Sequence, residues 1–116
     1  MSSRELPKEE RLHGRTAIRR LINAADGVEN NLLVLRHLPK PDEARGRRIL
    51  IAVSRSYRGA VPRNRLRRRL RALYRSRRDQ LPGSGDFMLL GKAAAGESSW
   101  VELERAFAEL VEALGG

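Results

Sequence analysis

The chain has 116 residues, 41% of them hydrophobic, which suits one domain with one modest core; only 4% are aromatic, so aliphatic side chains must fill most of that core. There is no cysteine, which excludes a disulfide scaffold, a thiolate zinc site and a cysteine nucleophile. Lys+Arg number 24 against 14 Asp+Glu, a formal net charge of +10, and such a balance points to a soluble, cytoplasmic protein with a polyanionic partner.

The opening MSSRELPKEER has no apolar stretch, so no secretory signal is expected there. In RTAIRRLINAADG, Ile18, Leu21, Ile22 and Ala25 fall at helical i, i+3, i+4, i+7 spacing, and Asp26-Gly27 reads as the turn that ends this helix. LLVLRHL at 32–38 reads as a strand, and LPKPDEARG at 38–46, with two prolines and a glycine, as a connecting loop. RRILIAVS at 47–54 reads as a buried strand, with Ile49, Ile51 and Val53 on one face and Leu50 and Ala52 on the other. Residues 60–78 form a basic helix, LPGSG at 81–85 breaks it, and DFMLLG at 86–91 is a further strand. KAAAGESS leads to a last helix, in which Ser99 and Glu102 make a capping-box pattern. Val101, Leu103, Phe107, Leu110, Val111 and Leu114 supply its apolar stripe, with Gly115 just past its end. The longest apolar runs are short, like ILIAV at 49–53, so no transmembrane helix is expected.

The distribution of charge says more than its sum. Residues 1–81 hold 22 basic and 8 acidic side chains, residues 82–116 only 2 basic and 6 acidic. Between Glu43 and Asp79 no acidic residue occurs, while 14 arginines do. A basic surface serving solubility alone is interspersed with acids; a single-sign field this dense is a phosphate-binding surface. Of the cations 21 are arginine, whose planar fork of donors suits phosphate oxygens.

At about 100° per residue, Leu66, Leu70 and Leu73 fall on one stripe of the basic helix and must face the core. Asn64, Arg68, Arg71 and Arg75 lie opposite; Arg65 and Arg69 flank one side, and Arg63, Arg67 and Arg78 the other. Like charges at i, i+4 destabilise a helix, so this helix carries a self-repulsion that a polyanion relieves. Asn64 can accept as well as donate hydrogen bonds where arginine only donates. Pro62 suits the first turn, where a missing N–H costs nothing, and Gly59 suits a helix start or a close backbone approach.

The stretch AVSRSYRGAVPRNRLRRRLRALYR at 52–75 resembles the signature region of the bacterial ribonuclease P protein family. There a strand ending in SVS and basic residues runs through G-x-A-V into a helix opening RNRIKRxxR. The matching residues are Val53, Ser54, Arg55, Ala60, Val61, Arg63, Asn64, Arg65, Leu66, Arg67, Arg68 and Arg71, and LPKEERLHGRTAIRRLI at 6–22 is similar to the family's opening. The resemblance covers essentially the whole chain as one domain. It implies an α+β fold, a single-domain α/β sandwich of order α-β-β-(β)-α-β-α with a left-handed βαβ crossover, similar to domain 2 of ribosomal protein S5. That hand is an exception to the usual rule.

The resemblance also implies a function. The protein subunit binds one catalytic RNA, and the holoenzyme, an endonucleolytic hydrolase, removes the 5′ leader of precursor tRNA. The RNA performs the phosphodiester hydrolysis with Mg²⁺ that it mainly holds itself. No protein partner is implied. Arg55, Arg63, Asn64, Arg65, Arg67, Arg68, Arg71 and Arg75 then bind the catalytic RNA, and Ile18, Ile22, Val34, Arg36 and Ser54 line the leader cleft. Two departures stand out. The family's phenylalanines on the first helix are Ile18 and Ile22 here, which also suit the core, and an often aromatic strand position is Arg36, able to stack by its guanidinium plane or to bind a phosphate. Arg58 stands where the family has glycine, with Gly59 following.

No protein-borne catalytic group is expected. His13 and His37 read as surface or loop histidines, Glu102, Glu104, Glu109 and Glu112 as the solvated face of the last helix, and Trp100 and Phe107 as core. GSG at 83–85 is a turn, since no Lys-Ser/Thr follows it. The alternative function is a structural rRNA-binding protein with no enzyme association, which would share the composition. A DNA-compacting or membrane-active cationic protein fits less well. The Leu stripe calls for a core instead of an open apolar face, and a DNA reader would set short polar residues in the groove.

Overall fold

The structure, a computed structural model, describes residues 11–12, 14–24, 26–39 and 46–115. Within them run α1 (Arg15–Ala24), β1 (Asp26–Glu29), β2 (Leu33–Leu38), β3 (Arg47–Val53), α2 (Ala60–Arg77), β4 (Gly85–Gly91) and α3 (Trp100–Gly115), with 3₁₀ turns at Arg78–Gln80 and Ala93–Glu97. The strands form one sheet in the order β1-β2-β4-β3. β2 pairs antiparallel with β1 and β4, and β3 runs parallel to β4. A parallel pair needs a long crossover, and α2 supplies it. The free edge of β3 is met by Arg11 and Leu12, whose N–H donates to the Ile49 carbonyl at 2.9 Å.

Alternation along the strands sorts side chains to two faces. Leu33 and Leu35, Ile49 and Val53, Phe87 and Leu89 point to one face and form the main core with Leu66, Leu70, Leu73 and Tyr74 of α2 and Leu103, Ala106, Phe107 and Leu110 of α3. The α2 stripe read from helical spacing is therefore the buried one. On the other face Met88 packs with Leu12 and Leu21, supported by Ala17, Ile18, Leu38, Leu50 and Leu90, so α1 covers that side. The buried Asp86 is held there by Arg48 of the neighbouring strand, at 3.1 Å.

Several expectations need correction. Asp26-Gly27 does not close a turn but starts β1, and Gly27 lies opposite Arg36, where a Cβ would come within 3.2 Å of the Arg36 side chain. The actual turn is at Asn30, whose Oδ1 accepts from the N–H groups of Leu32 and Leu33 at 3.1 and 3.0 Å. Its Nδ2 donates to the Ala106 carbonyl, tying the hairpin to α3. Val101 is 60% exposed and off the apolar stripe, Ala106 takes the buried place, and α3 runs on through Gly115. His37 is not a free surface ring: it is half-buried in β2, within the expected strand, and its ring stacks 4.4 Å from that of Phe87. Ala25, His13 and most of the 38–46 loop lie outside the described residues.

Candidate nucleic-acid interface

Helix α2 begins without a side-chain cap. Gly59 takes a left-handed φ of 100°, which favours glycine, and its carbonyl accepts the Arg63 N–H at 3.0 Å. From that start the arginines sort into two groups. Arg63 turns back on the chain: its Nη1 donates to the carbonyls of Ser54 and Tyr57 at 2.6 and 2.8 Å, and its Nη2 to that of Val53 at 3.3 Å. Arg69 donates to the Ser98 carbonyl at 2.7 Å, and Arg77 pairs with Glu104 at 2.9 Å. These three bolt the helix to β3, to the lead-in of α3 and to α3 itself.

Arg65, Arg68, Arg71 and Arg75 form the second group. Among the described residues none of the four makes a hydrogen bond or ion pair, and Arg65 and Arg68 are exposed. Arg55 and Arg58, in the turn before the helix, are likewise exposed and unpaired among those residues. Asn64 is exposed beside the row; its Oδ1 accepts from Arg67 Nη1 at 2.9 Å, leaving its amide N–H groups to donate outward. The expected binding residues thus share one surface, except that Arg63 is engaged with backbone and Arg67 with Asn64.

The expected cleft residues lie on the α1 side. Val34 and Arg36 alternate with the buried Leu33 and Leu35 and so face α1, half-buried. Ile18 packs into the cluster beneath α1, whereas Ile22 is 47% exposed and lines a shallow surface groove with Arg15, Ile18, Arg19 and Asn23. Leu21 between them is fully buried. Ser54 follows β3, its N–H donating to the Gly91 carbonyl at 2.9 Å and its Oγ sharing a hydrogen bond with Ser56 Oγ.

Two carboxylates are displaced from their ordinary titration. Lys92, which bonds Glu29, holds the Glu29 carboxyl low by hydrogen bond and charge. Glu102 is held low chiefly by the Ser99 N–H, at 2.8 Å, and then by the Ser99 hydroxyl side of the same box. The capping box is therefore formed. Both groups serve the scaffold. Among the described residues no three His, Asp or Glu side chains gather as a metal cage, and no helix is long and apolar enough to cross a membrane.

Trp100, like Val101, is a surface residue that the sequence misplaces. In phase with Leu103 and Phe107 it reads as core, but it is 37% exposed, at the rim of α2, beside Arg65, Arg68, Arg69, Ala72 and Arg75. Periodicity alone could not show this, because it depends on how far the first turn of α3 overhangs α2.

Residues 6–115 match the family model for ribonuclease P. A stretch of 64 residues, 55% of this chain, is 42% identical to the ribonuclease P protein component of Desulfovibrio desulfuricans; it spans 48% of that relative's length. The fold is that of the RNase P protein of Staphylococcus aureus, with a TM-score of 0.78 at 16% identity over 91% of this chain and 95% of the other. It is equally that of the RNase P protein of Thermotoga maritima, with a TM-score of 0.78 at 20% identity over 92% and 99%. With that model matching nearly the whole chain, the chain belongs to the ribonuclease P protein family.

Proposed function

We propose that this chain is the protein subunit of a cytoplasmic ribonuclease P, binding the catalytic RNA through α2 and the 5′ leader of precursor tRNA through the α1 side of the sheet. The reading is carried by the row of Arg65, Arg68, Arg71 and Arg75, four guanidinium groups on one helix face with no partner among the described residues. Such a row neutralises phosphates and releases the counterions condensed on them. With its backbone repulsion reduced, the RNA holds its active fold and its Mg²⁺ at lower bulk salt. In this reading the metal and the hydrolysis are the RNA's, as the resemblance at 52–75 implies. On the opposite face of the sheet, Val34, Arg36 and Ser54 with Ile18 and Ile22 contact the leader, so precursor binds better than mature tRNA. Without aromatics there, the contact rests on apolar surface and on the Arg36 charge.

Reconstitution with a bacterial catalytic RNA at low Mg²⁺ tests the reading, scoring removal of the 5′ leader with and without the protein. The protein is expected to restore cleavage that the RNA alone cannot sustain, and to cut nothing by itself. Unchanged cleavage, together with stoichiometric sedimentation on a ribosomal subunit, would instead assign the chain to rRNA.

A further inference from the structure

Trp100 is the chain's only tryptophan, and its surroundings are unlike those of a core residue. It lines a groove of about 320 Å³ between α2 and the start of α3, walled by Arg65, Arg68, Arg69 and Arg75. Ala72, exposed and small, leaves the middle of the groove open. Among the described residues the indole makes no ring contact and no hydrogen bond, although a tryptophan packed for structure usually finds a partner for its N–H. Arg69 is fixed by the Ser98 carbonyl, whereas Arg65, Arg68 and Arg75 are unpaired.

The groove therefore offers a flat aromatic face within a ring of cations. An acidic peptide could satisfy the charges but not the face, and a duplex presents phosphates but hides its bases. An unpaired nucleotide has both a phosphate and a free π-face, and stacking on an aromatic tolerates any base. The groove is continuous with the α2 row and lies on the sheet face covered by α2 and α3, away from Val34 and Arg36. We propose that this groove is a subsite for one unpaired nucleotide of the catalytic RNA, its base stacked on Trp100 and its phosphate held by Arg65, Arg68 and Arg75. The assignment rests on the docking of α2 on that RNA.

Because Trp100 is the sole indole, its emission reports the subsite directly. Titration of the full chain with catalytic RNA is expected to quench that emission in step with binding, and precursor tRNA alone is expected not to. Trp100→Leu should weaken RNA binding about five- to 150-fold, the range for one base on one aromatic, and Trp100→Phe should recover most of the loss. Ala72→Leu, which fills the groove and keeps the indole, should reduce both the quench and the affinity. Wild-type affinity in Trp100→Leu and Ala72→Leu, or emission unmoved at saturation, overturns the subsite and leaves arginine docking intact. Quenching by precursor tRNA alone overturns its assignment to the catalytic RNA. If the parent chain binds that RNA no better than an unstructured RNA of equal length, the docking itself falls, and the subsite with it.

Discussion

Arg63 and Arg68 lie five residues apart in one arginine-rich helix, yet their replacement by alanine should fail in different ways. Arg63 donates to the carbonyls of Val53, Ser54 and Tyr57, the end of β3 and the turn that leads into α2. A hydrogen bond from a charged donor contributes about 1.5–3 kcal/mol. The three share one half-buried guanidinium, and water can replace part of what is lost, so Arg63→Ala should cost about 2–3 kcal/mol in all. For a domain of this length that corresponds to a fall in melting temperature of roughly 8–12 °C. Arg68 makes no hydrogen bond or ion pair among the described residues, and an exposed substitution of that kind stays within about 0.5 kcal/mol. In exchange, Arg68→Ala should lower the slope of log K against log salt for the catalytic RNA by about one, the signature of one lost phosphate contact. Thermal melts of both variants and filter binding at several salt concentrations decide the matter. Equal melting temperatures for the two would refute the division of the arginines into bolts and binding groups. Full stability in Arg63→Ala with loss of RNA would show that its guanidinium leaves the carbonyls for the RNA.

Asp86→Ala should destabilise the fold by about 3 kcal/mol, since it strands Arg48 over the α1 face; a melt of the double variant Arg48→Met/Asp86→Leu should recover much of the loss, and no recovery would mean the pair is not the cause. Gly85 has a φ of 113°, and a Cβ there would lie 2.9 Å from the Leu38 carbonyl and 2.6 Å from His37, so Gly85→Ala should cost about 2–3 kcal/mol and be seen as a lower denaturant midpoint. Glu29 and Glu102 titrate lower in the folded chain than their ordinary value of 4.5, so their stabilisation is complete above that pH and is lost as pH falls below it. Melting temperature should therefore decline on acidification past that value, and less steeply in Glu29→Gln/Glu102→Gln. Ile22→Ala, at an exposed site, should leave stability unchanged but reduce affinity for precursor more than for mature tRNA; equal effects on the two RNAs would remove α1 from the leader cleft.

Where a pattern was local, it carried over into three dimensions. The Leu66, Leu70, Leu73 stripe and the β3 alternation were legible because each depends only on the period of its own element, and the Ser99–Glu102 box because its partners are three residues apart. β1 was not legible. Four residues opening with Asp-Gly read as a turn by propensity, and it is pairing with β2, with Asn30 fixing the bend, that makes them a strand. Trp100 failed for a related reason: its phase is that of a core residue, but burial needs a neighbour above it, and α2 presents arginines and Ala72 there. The resemblance at 52–75 singled out the arginines of α2 as a group but not the division among them. Arg63 and Arg65 look equivalent in sequence, and only the carbonyls at the end of β3 distinguish them.

That division explains how so many like charges are tolerated on one helix. Repulsion along α2 is strongest if every guanidinium is free, and a free arginine helix would fray or swing. Here Arg63, near its start, is drawn onto carbonyl oxygens, Arg69 in the middle onto the Ser98 carbonyl, and Arg77, at its end, onto Glu104. Each contact sets a carbonyl dipole or, at Arg77, a carboxylate against the flank of the helix and none against its outer face. Glu104 and these carbonyl dipoles thus offset charge on the side of α2 that packs, while the outward row stays positive. Since the bolted residues fix the orientation of the helix, Arg65, Arg68, Arg71 and Arg75 are already positioned before any polyanion arrives. Less ordering then remains at association; under the proposed function, rigid placement of charge would favour a shaped RNA in a way that a flexible basic tail of the same net charge could not.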